Sequence, residues 1–510
     1  MILDAQGRQI ATGKRKQMLN ARFDAAQTTT ENSKQWSWAD ALSADSAANP
    51  AVRTTLRNRA RYETANNSYL RGITNFICND IIGGSIRLVV KTNEGGSDSR
   101  SKYAKKNLMT RDEAWFIEGE FQDWLDATGA LSKLRTMVAG ETCDGESFAM
   151  LGTNRRLETQ VKLDFSPFET EMCQAAYIGG DERNEVDGIT YDQWGNPNTY
   201  RILKEHPGSN NSFYYNDANE YSYKNIIHYY KVDRAGQRRG IPRITASLPL
   251  FAQLRRFTLS VLAAAETAAD FAAILHTNSA YEEGTATAAP FDIVDIERRM
   301  MQVLPEGWDM RQFKAEQPVS TYAEFVRTLL REINRPLDVP MNVALGDSSG
   351  YNFASGKLDW QIWEKARSVR RVEIVQQVID PLFNAWKTEA ILIEGYLPQS
   401  LRNVSVDWAH TYLFTGDKHQ DPQKEAKAQE TRLANKTTTL ASEYGAEGKD
   451  WEEQLVQIAR EKAKKLELGL VDDDLADDPA DEEADEEEAE ESELVMSRDE
   501  HGRLLSVRGF

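Results

Sequence analysis

Apolar residues recur along this chain in long blocks stepped by three and four positions, with shorter alternating runs between them; the first pattern predicts amphipathic helices and the second half-buried strands. From Ala51, the residues Tyr62, Ala65, Tyr69, Ile73, Phe76 with Ile77, and Ile81 with Ile82 predict a helix with one buried face. Gly83-Gly84 ends it, since glycine takes the left-handed helix-end conformation without strain. A strand follows at "SIRLVVKT". A second amphipathic helix starts near Asp112, with Ala114, Ile117, Phe121 and Trp124 inward, and leads through "LSKLRTMVAG" and a "CDGES" turn to the strand "SFAML". Residues 160–230 read as β: "VDGITYDQWGNPNTYRIL" has two Tyr-bearing runs around a turn, and "NIIHYYKV" is a further strand.

Leu254, Phe257, Val261, Ala264, Ala268, Phe271 and Leu275 step by 3, 4, 3, 4, 3 and 4, a coiled-coil-like seam on an Ala-rich helix. That helix is either the buried centre of its own domain or packed between copies of itself. Residues 277–318 read as irregular and β-rich, and a second helix, "STYAEFVRTLLREINR", ends by Pro336. The loop "VPMNVALGDSSGYNFASGK" covers 339–357, and a long helix from Leu358 runs to Asp380-Pro381, with another ending near Gly395. Asp421-Pro422 is a helix start with proline at its first position. Asp450 and Glu453 form a capping pair for a last helix, lined by Leu455, Ile458, Ala459 and Leu466. The pattern as a whole is α+β and mainly helical.

Composition changes this picture in three places. The chain of 510 residues carries a net charge of −19, but fifteen acids fall between Asp472 and Glu493, with no Lys or Arg among them. The remainder is nearly neutral, so it lacks the surplus of cations that non-specific DNA affinity needs. Cys78, Cys143 and Cys173 are widely spaced, which predicts neither a disulfide framework nor a zinc site, and the first residues lack a hydrophobic signal core. The reading is a cytosolic, reduced chain. "FTLSVLAAAETAADFAAIL" is long enough to span a bilayer, but Glu266 and Asp270 inside it argue against that.

Candidate chemistry is sparse. "GDSSG", residues 346–350, fits the nucleophile-elbow pattern with Ser348 as nucleophile, and "NVAL" before it is the candidate strand, but the required helix does not follow at once. The same loop misses a phosphate-binding motif, with five residues between its glycines instead of four and Leu358 where Ser or Thr would hold magnesium. The histidines at 206, 228, 276, 410, 419 and 501 show no metal-ligand spacing. No enzymatic activity, cofactor or metal is expected; a serine hydrolase built on Ser348 is the alternative. Two arginine groups stand out. "DRAGQRRGIPR" holds Arg234, Arg238, Arg239 and Arg243 around helix-breaking Gly236, Gly240 and Pro242. On the long helix, Arg367, Arg370 and Arg371 share a face, read as a solvated stripe or one facing DNA or another subunit.

Several stretches together resemble the lambda-like portal proteins of tailed bacteriophages. "RARYETANNSYLRGITNFICNDIIGG" is similar to that family's first wing helix, "GITYDQWGNPNTYRI" to its wing hairpin, and "HYYKVDRAGQRRGIP" to the segment before its first stem helix. "LPEGWDMRQF", "LGDSSGYNFASGKLDW" and "DPQKEAKA", followed by "KTTTLASEYGAEGKDWEEQL", match in the same order, so the resemblance spans about 50–468. It implies a portal fold, with an arm at 1–50, wing at 51–245, first stem helix at 246–276 and clip at 277–318. The second stem helix would be 319–338, the tunnel loop 339–357, channel and wing helices 358–420, crown helices 421–470 and an acidic disordered tail 471–510. It also implies a ring of about twelve copies around a central channel. Expected partners are double-stranded DNA in the channel, the terminase large subunit, a head–tail adaptor, and the major capsid and scaffold proteins, with no membrane. The location implied is the capsid portal vertex of the virion, reached from the host cytoplasm. In that frame Arg234, Arg238, Arg239, Arg243, Leu254, Phe257, Val261 and Phe271 are expected at subunit contacts. Tyr351, Asn352, Lys357, Arg367, Arg370 and Arg371 are expected to face the channel and its DNA.

Overall fold

The computed structural model describes residues 39–92, 109–175, 184–209, 217–270, 274–277, 308–311, 319–350, 352–402, 406–416, 422–470, 496–498 and 504–507. A short helix α1 (Ala44–Ala47) precedes α2 (Pro50–Asn66) and α3 (Ser68–Ile82). Sequence periodicity joined the last two into one helix. Asn67 separates them, because its side chain accepts from the amides of Tyr69 and Leu70 and starts α3 afresh. The two helices also bury different chemistry. α3 turns Leu70, Ile73, Ile77 and Ile81 inward, whereas α2 buries Arg53, Arg57 and Glu63 and leaves Tyr62 exposed.

Strand β1 (Ile86–Val90) pairs antiparallel with the distant β11 (His410–Phe414). α4 (Arg111–Ala127) opens with a complete capping box between Thr110 and Glu113, and α5 (Ala130–Asp144) ends at Gly145 with φ +94°. β2 (Glu146–Thr153) is the centre of a three-stranded antiparallel sheet between β3 (Leu163–Phe168) and β8 (Ile226–Tyr230). A second antiparallel sheet is formed by β4 (Glu185–Val186), β5 (Ile189–Tyr191), β6 (Pro197–Leu203) and β7 (Ala218–Ser222). Its β5–β6 turn is the expected hairpin, held by Asp192, which accepts from the amides of Trp194 and Asn196.

α6 (Leu248–Asp270) follows the arginine-rich turn, and β9 (Ile274–Thr277) pairs with β10 (Trp308–Arg311). α7 (Val319–Asn334) leads to α8 (Met341–Leu345), a helical turn inside the expected 339–357 loop. α9 (Phe353–Ile374) begins five residues earlier than its apolar pattern suggested, since Asn352 caps it through the amide of Ser355. A π-helical turn, Val375–Ile379, connects α9 to α10 (Asp380–Leu392). The helical path thus continues past Pro381, which lies directly after the π turn at the start of α10.

The main core joins α3, α4, α5, α9 and α10. At its centre Phe121 meets Trp124, Phe383 and Trp386 at ring distances of 5.4, 5.1 and 5.4 Å. A smaller core of Phe148, Cys173, Ile189, Tyr191, Tyr200, Ile202 and Ile226 lies between the two sheets. The chain divides into two units at Thr415 and Gly416. The second unit holds α11 (Pro422–Ala434), α12 (Leu440–Ala446), α13 (Trp451–Glu467) and a β12–β13 pair (Met496–Arg498, Leu504–Val507). Asp450 caps α13 through the amides of Glu452 and Glu453, as its sequence suggested. Most of 277–318 and of the acidic tail lies outside the described residues.

The tightest backbone crossing is between Gly145 and Gly240, where a Cβ on Gly240 would lie 2.0 Å from the carbonyl oxygen of Gly145. Gly240→Ala is expected to lower stability by about 1–3 kcal/mol through overpacking. Gly119→Ala, in an open position on α4, is expected to raise it by about 0.5–1 kcal/mol. Urea denaturation midpoints of the two variants, moving in opposite directions, check both.

Candidate subunit-contact and channel surfaces

The arginine-rich turn between β8 and α6 is ordered by one buried amide. Gln237 Oε1 accepts from the amides of Asp233 and Arg234, and its Nε2 donates to the carbonyl of Arg239. Gly236 takes φ +80°, and Gly240 permits the crossing under Gly145. This geometry sends the four arginines to different places. Arg239 is 1% exposed and reaches Glu146, itself 0% exposed, with contacts of 2.7, 2.9 and 3.1 Å. Its Nη1 also donates to the carbonyls of Cys173 and Asp187. Glu146 further accepts from Gly240 N–H (3.1 Å) and meets His228 Nε2 at 3.0 Å. Arg243 pairs with Glu141 and Glu373. Arg238 lies half-buried over the Tyr191 ring, 4.6 Å from its centre, and only Arg234 is fully exposed, donating to the Leu42 carbonyl.

Electrostatics account for this arrangement. Burial alone would raise the Glu146 carboxyl, but Arg239 and His228 outweigh it and hold the group well below the usual carboxylate range. Burial alone would lower the Arg239 guanidinium, and Glu146 reverses that. His228, stacked between Phe148 and Tyr230, is pushed below its ordinary value by burial. Arg239 and Arg243 were expected at subunit contacts. The correction is that both guanidinium charges are matched inside one chain, leaving Arg234 and Arg238 as the accessible members.

The predicted seam on α6 is also redirected. Leu254 is buried in the main core, and Phe257 stacks on Tyr322 of α7 at 5.7 Å and meets Phe325 at a tilt, 4.5 Å between ring centres. Val261 is half-buried, α6 ends at Asp270, Leu275 belongs to β9, and Phe271 lies outside the described residues. α7 covers the lower part of the seam; among the described residues of α6 the exposed leucines are Leu259 and Leu262, on another face, and the seam's Ala264 is exposed as well.

α9 is turned the other way from its expected orientation. Asp80 accepts from Trp363 Nε1 (2.6 Å) and from Arg367, and Arg370 is buried 3.7 Å from Glu141. Arg371 donates to the carbonyls of Asp80 and Ile81, closing the C-terminal end of α3. Arg367 and Arg370 were expected to face DNA; they point inward because Asp80 and Glu141 are the acids within reach. The outward side carries Leu358, Ile362, Val369 and Val372, each 52–63% exposed, with Lys365 in line. Their spacing of 4, 3, 4 and 3 is a heptad-type stripe. Sequence reading missed it by following the arginine charges and not the apolar period on the same helix.

The remaining candidates are few. Asn352 and Lys357 are exposed at the start of α9, and Tyr351 lies outside the described residues. Ser348 follows a helix, α8, where an elbow nucleophile needs a strand, and neighbouring Asp347 is held by Arg327 and the Ser349 amide. Glu169, Glu171 and His206 bring ligand-type atoms within 4.8 Å of one another. Arg57 and Arg61 already balance these acids. The Gly208 amide donates to His206 Nδ1, which puts the ring proton on Nε2, facing Glu169 at 2.8 Å; that nitrogen has no lone pair for a metal. The three cysteines are buried as free thiols, with burial pushing Cys78 and Cys173 up to about 12. Among the described residues, no helix is long and apolar enough to cross a membrane.

The body is mainly helical and α+β, with several arginines paired inside and apolar residues of α6 and α9 exposed, and comparison gives the class. A family model described as phage portal protein, lambda family, matches residues 29–370, and the chain belongs to that family. It is similar to a probable portal protein of Halomonas phage phiHAP-1, 22% identical over 446 residues that cover 82% of this chain and 81% of that protein. Among solved structures it is similar to a chain from the neck of an empty GTA particle, with 12% identity and a TM-score of 0.40 over 75% of this chain and 88% of that one. A chain from the virion of a native gene transfer agent particle gives 11% identity and a TM-score of 0.39, covering 78% and 93%.

The buried ion pair makes two predictions. Arg239→Met leaves Glu146 charged without its main partner and is expected to cost about 3–5 kcal/mol in chemical denaturation. The second concerns pH. His228 is lowered from 6.5, so the unfolded chain takes up that proton first and stability falls as pH drops from 7 to 5. Glu146 is depressed from 4.5, so its contribution is intact above that value and is lost at lower pH, as the pH falls through its folded-state value. His228→Gln is expected to flatten the denaturation midpoint between pH 7 and 5 while leaving the acid limb in place.

Proposed function

We propose that copies of this portal-family chain close into a ring of about twelve at one vertex of a phage head, forming the conduit for packaging and ejection of double-stranded DNA. The observation that carries the reading is the stripe Leu358, Ile362, Val369 and Val372, bare on a helix whose other side is locked into the core. A closed ring needs each subunit to offer one surface to its neighbour on one side and a different surface on the other. The α9 stripe and the Leu259–Leu262 face of α6 are two such surfaces on separate helices. Covering the exposed half of the four α9 side chains contributes about 3–6 kcal/mol per contact, and closure makes every subunit gain it.

Within this reading, residues 51–245 form the wing, α6 and α7 the stem, and β9 and β10 the stem-proximal edge of a clip that meets the terminase and later the head–tail adaptor. The turn at 346–352 faces the channel, with Tyr351, Asn352 and Lys357 nearest the DNA. Inward burial of Arg367 and Arg370 supports a channel without a dense cationic lining, over which DNA slides. Capsid and scaffold proteins meet the ring at the head vertex. Arg234 and Arg238 remain for subunit contact.

Negative-stain images and native mass spectrometry of the purified chain test this. Annular particles at about twelve times 57.7 kDa are expected. Ile362→Asp with Val369→Asp, both at exposed positions, is expected to leave folded monomers. A wild-type chain that stays monomeric at all concentrations sinks the reading.

A further inference from the structure

Arg370 on α9 is 4% exposed, and among the described residues it alone has both terminal guanidinium nitrogens buried without a hydrogen bond. Its ion-pair partner, Glu141 on α5, stands 3.7 Å from Nη2, beyond hydrogen-bonding distance. Glu141 Oε2 and the Tyr229 hydroxyl of β8 are likewise buried without a hydrogen bond, each on a side chain 1% exposed. The three groups are close enough to act on one another. Burial raises the Tyr229 hydroxyl and Glu141 raises it further, with Arg370 opposing. Burial, and then Arg243, pull the Arg370 guanidinium below its ordinary value against the attraction of Glu141.

A guanidinium taken out of water with its donors unused is among the costliest arrangements a fold can hold. Arg239, buried as deeply, avoids it by giving its donors to Glu146 and to the carbonyls of Cys173 and Asp187. Direct closure of the gap between Arg370 and Glu141 is opposed from the far side of the carboxylate. Glu141 Oε1 is held by Arg243, which is itself fixed by Glu373 at 3.1 Å and by its own amide on the Thr142 carbonyl.

Charge and donor count decide what satisfies these atoms. Arg243 and Arg370 face Glu141 and Glu373, two against two, so neither a cation nor an anion meets a surplus of opposite charge. The unmet atoms are donors on Arg370, an acceptor on Glu141, and on Tyr229 a hydroxyl that can act as either. Water donates and accepts at one point, and a buried water takes about three hydrogen bonds in such surroundings. Cys78, whose thiol feels both Arg370 and Glu141, lines a groove between α3 and α5 with Asn75, Thr136 and Ala139, which gives solvent a short way in.

We propose that α5, β8 and α9 enclose a structural water site, in which water accepts from Arg370 and donates to Glu141 Oε2 while the Tyr229 hydroxyl completes its shell. α9 is then joined to α3 by direct bonds at Trp363 and Arg367, and to α5 and β8 through water about one turn further on.

X-ray radiolytic footprinting of the full-length chain tests this, because hydroxyl radicals formed at bound waters mark the side chains beside them. Tyr229 is expected to be hydroxylated about threefold faster than Tyr191, which is 8% exposed but gives its hydroxyl to the Arg238 carbonyl. Arg370→Met removes the donors that hold the water and should bring Tyr229 down to the rate of Tyr191. A high-resolution map of the wild-type chain should show solvent density within hydrogen-bonding distance of Arg370 Nη1 or Nη2. Wild-type Tyr229 labelled no faster than Tyr191 would overturn the site, as would fast labelling that persists in a folded Arg370→Met chain. So would a map in which protein groups alone satisfy Arg370, with no solvent density beside it.

Discussion

The fold turns on the meeting of Glu146 and Arg239 beneath the Gly145–Gly240 crossing. Two opposite charges, both nearly inaccessible to water, carry a large desolvation cost that attraction offsets only when the remaining hydrogen-bonding capacity is used. Here it is used. Glu146 takes two nitrogens of Arg239, the Gly240 amide and His228, while Arg239 reaches the carbonyls of Cys173 and Asp187 with what is left. Arg53 joins from α2 by pairing with Asp187. One charge pair therefore ties together α2, both sheets and the turn that launches α6. The direction in which α6 leaves the sheet layer is a property of that junction.

This inner clamp explains the division of labour on the surface. Charges that would otherwise face outward, on Arg239, Arg243, Arg367 and Arg370, are consumed within the chain. What remains outside on α6 and α9 includes the aliphatic residues Leu259, Leu262, Leu358, Ile362, Val369 and Val372. A surface made this way suits permanent contact between like subunits, since apolar area buried between them gains hydration entropy without matching long-range charge.

Much of the fold was legible because periodicity is a local signal. The α3 core face, the β5–β6 hairpin, the α4 inner face and the Asp450 cap all follow from residues within a few positions of one another. The failures share one cause, a partner distant in sequence. The break at Asn67 looks like a continuation until its side chain is seen to cap α3. The inward turn of Arg367 and Arg370 depends on Asp80 and Glu141, more than two hundred residues away. Phe257 leaves the α6 seam because Tyr322 and Phe325 come back against it. The outward α9 stripe was readable from its own spacing, but the arginines between its members drew attention to charge. Family resemblance supplied the class, whereas the allocation of residues to inside and outside came only from the three-dimensional packing.

The π turn at Val375–Ile379 has a geometric consequence for how such a chain can change. It adds one residue to a helical circuit and so advances everything after it by roughly 100° in azimuth. Upstream, α9 points Trp363 and Arg367 at α3; downstream, α10 points Phe383 and Trp386 at Phe121. The extra residue reconciles these two bearings in one unbroken rod. A lineage carrying this rod is free to exchange one aliphatic group for another along its exterior. It cannot delete that residue without rotating either the outward stripe of α9 or the aromatic centre out of phase with the other.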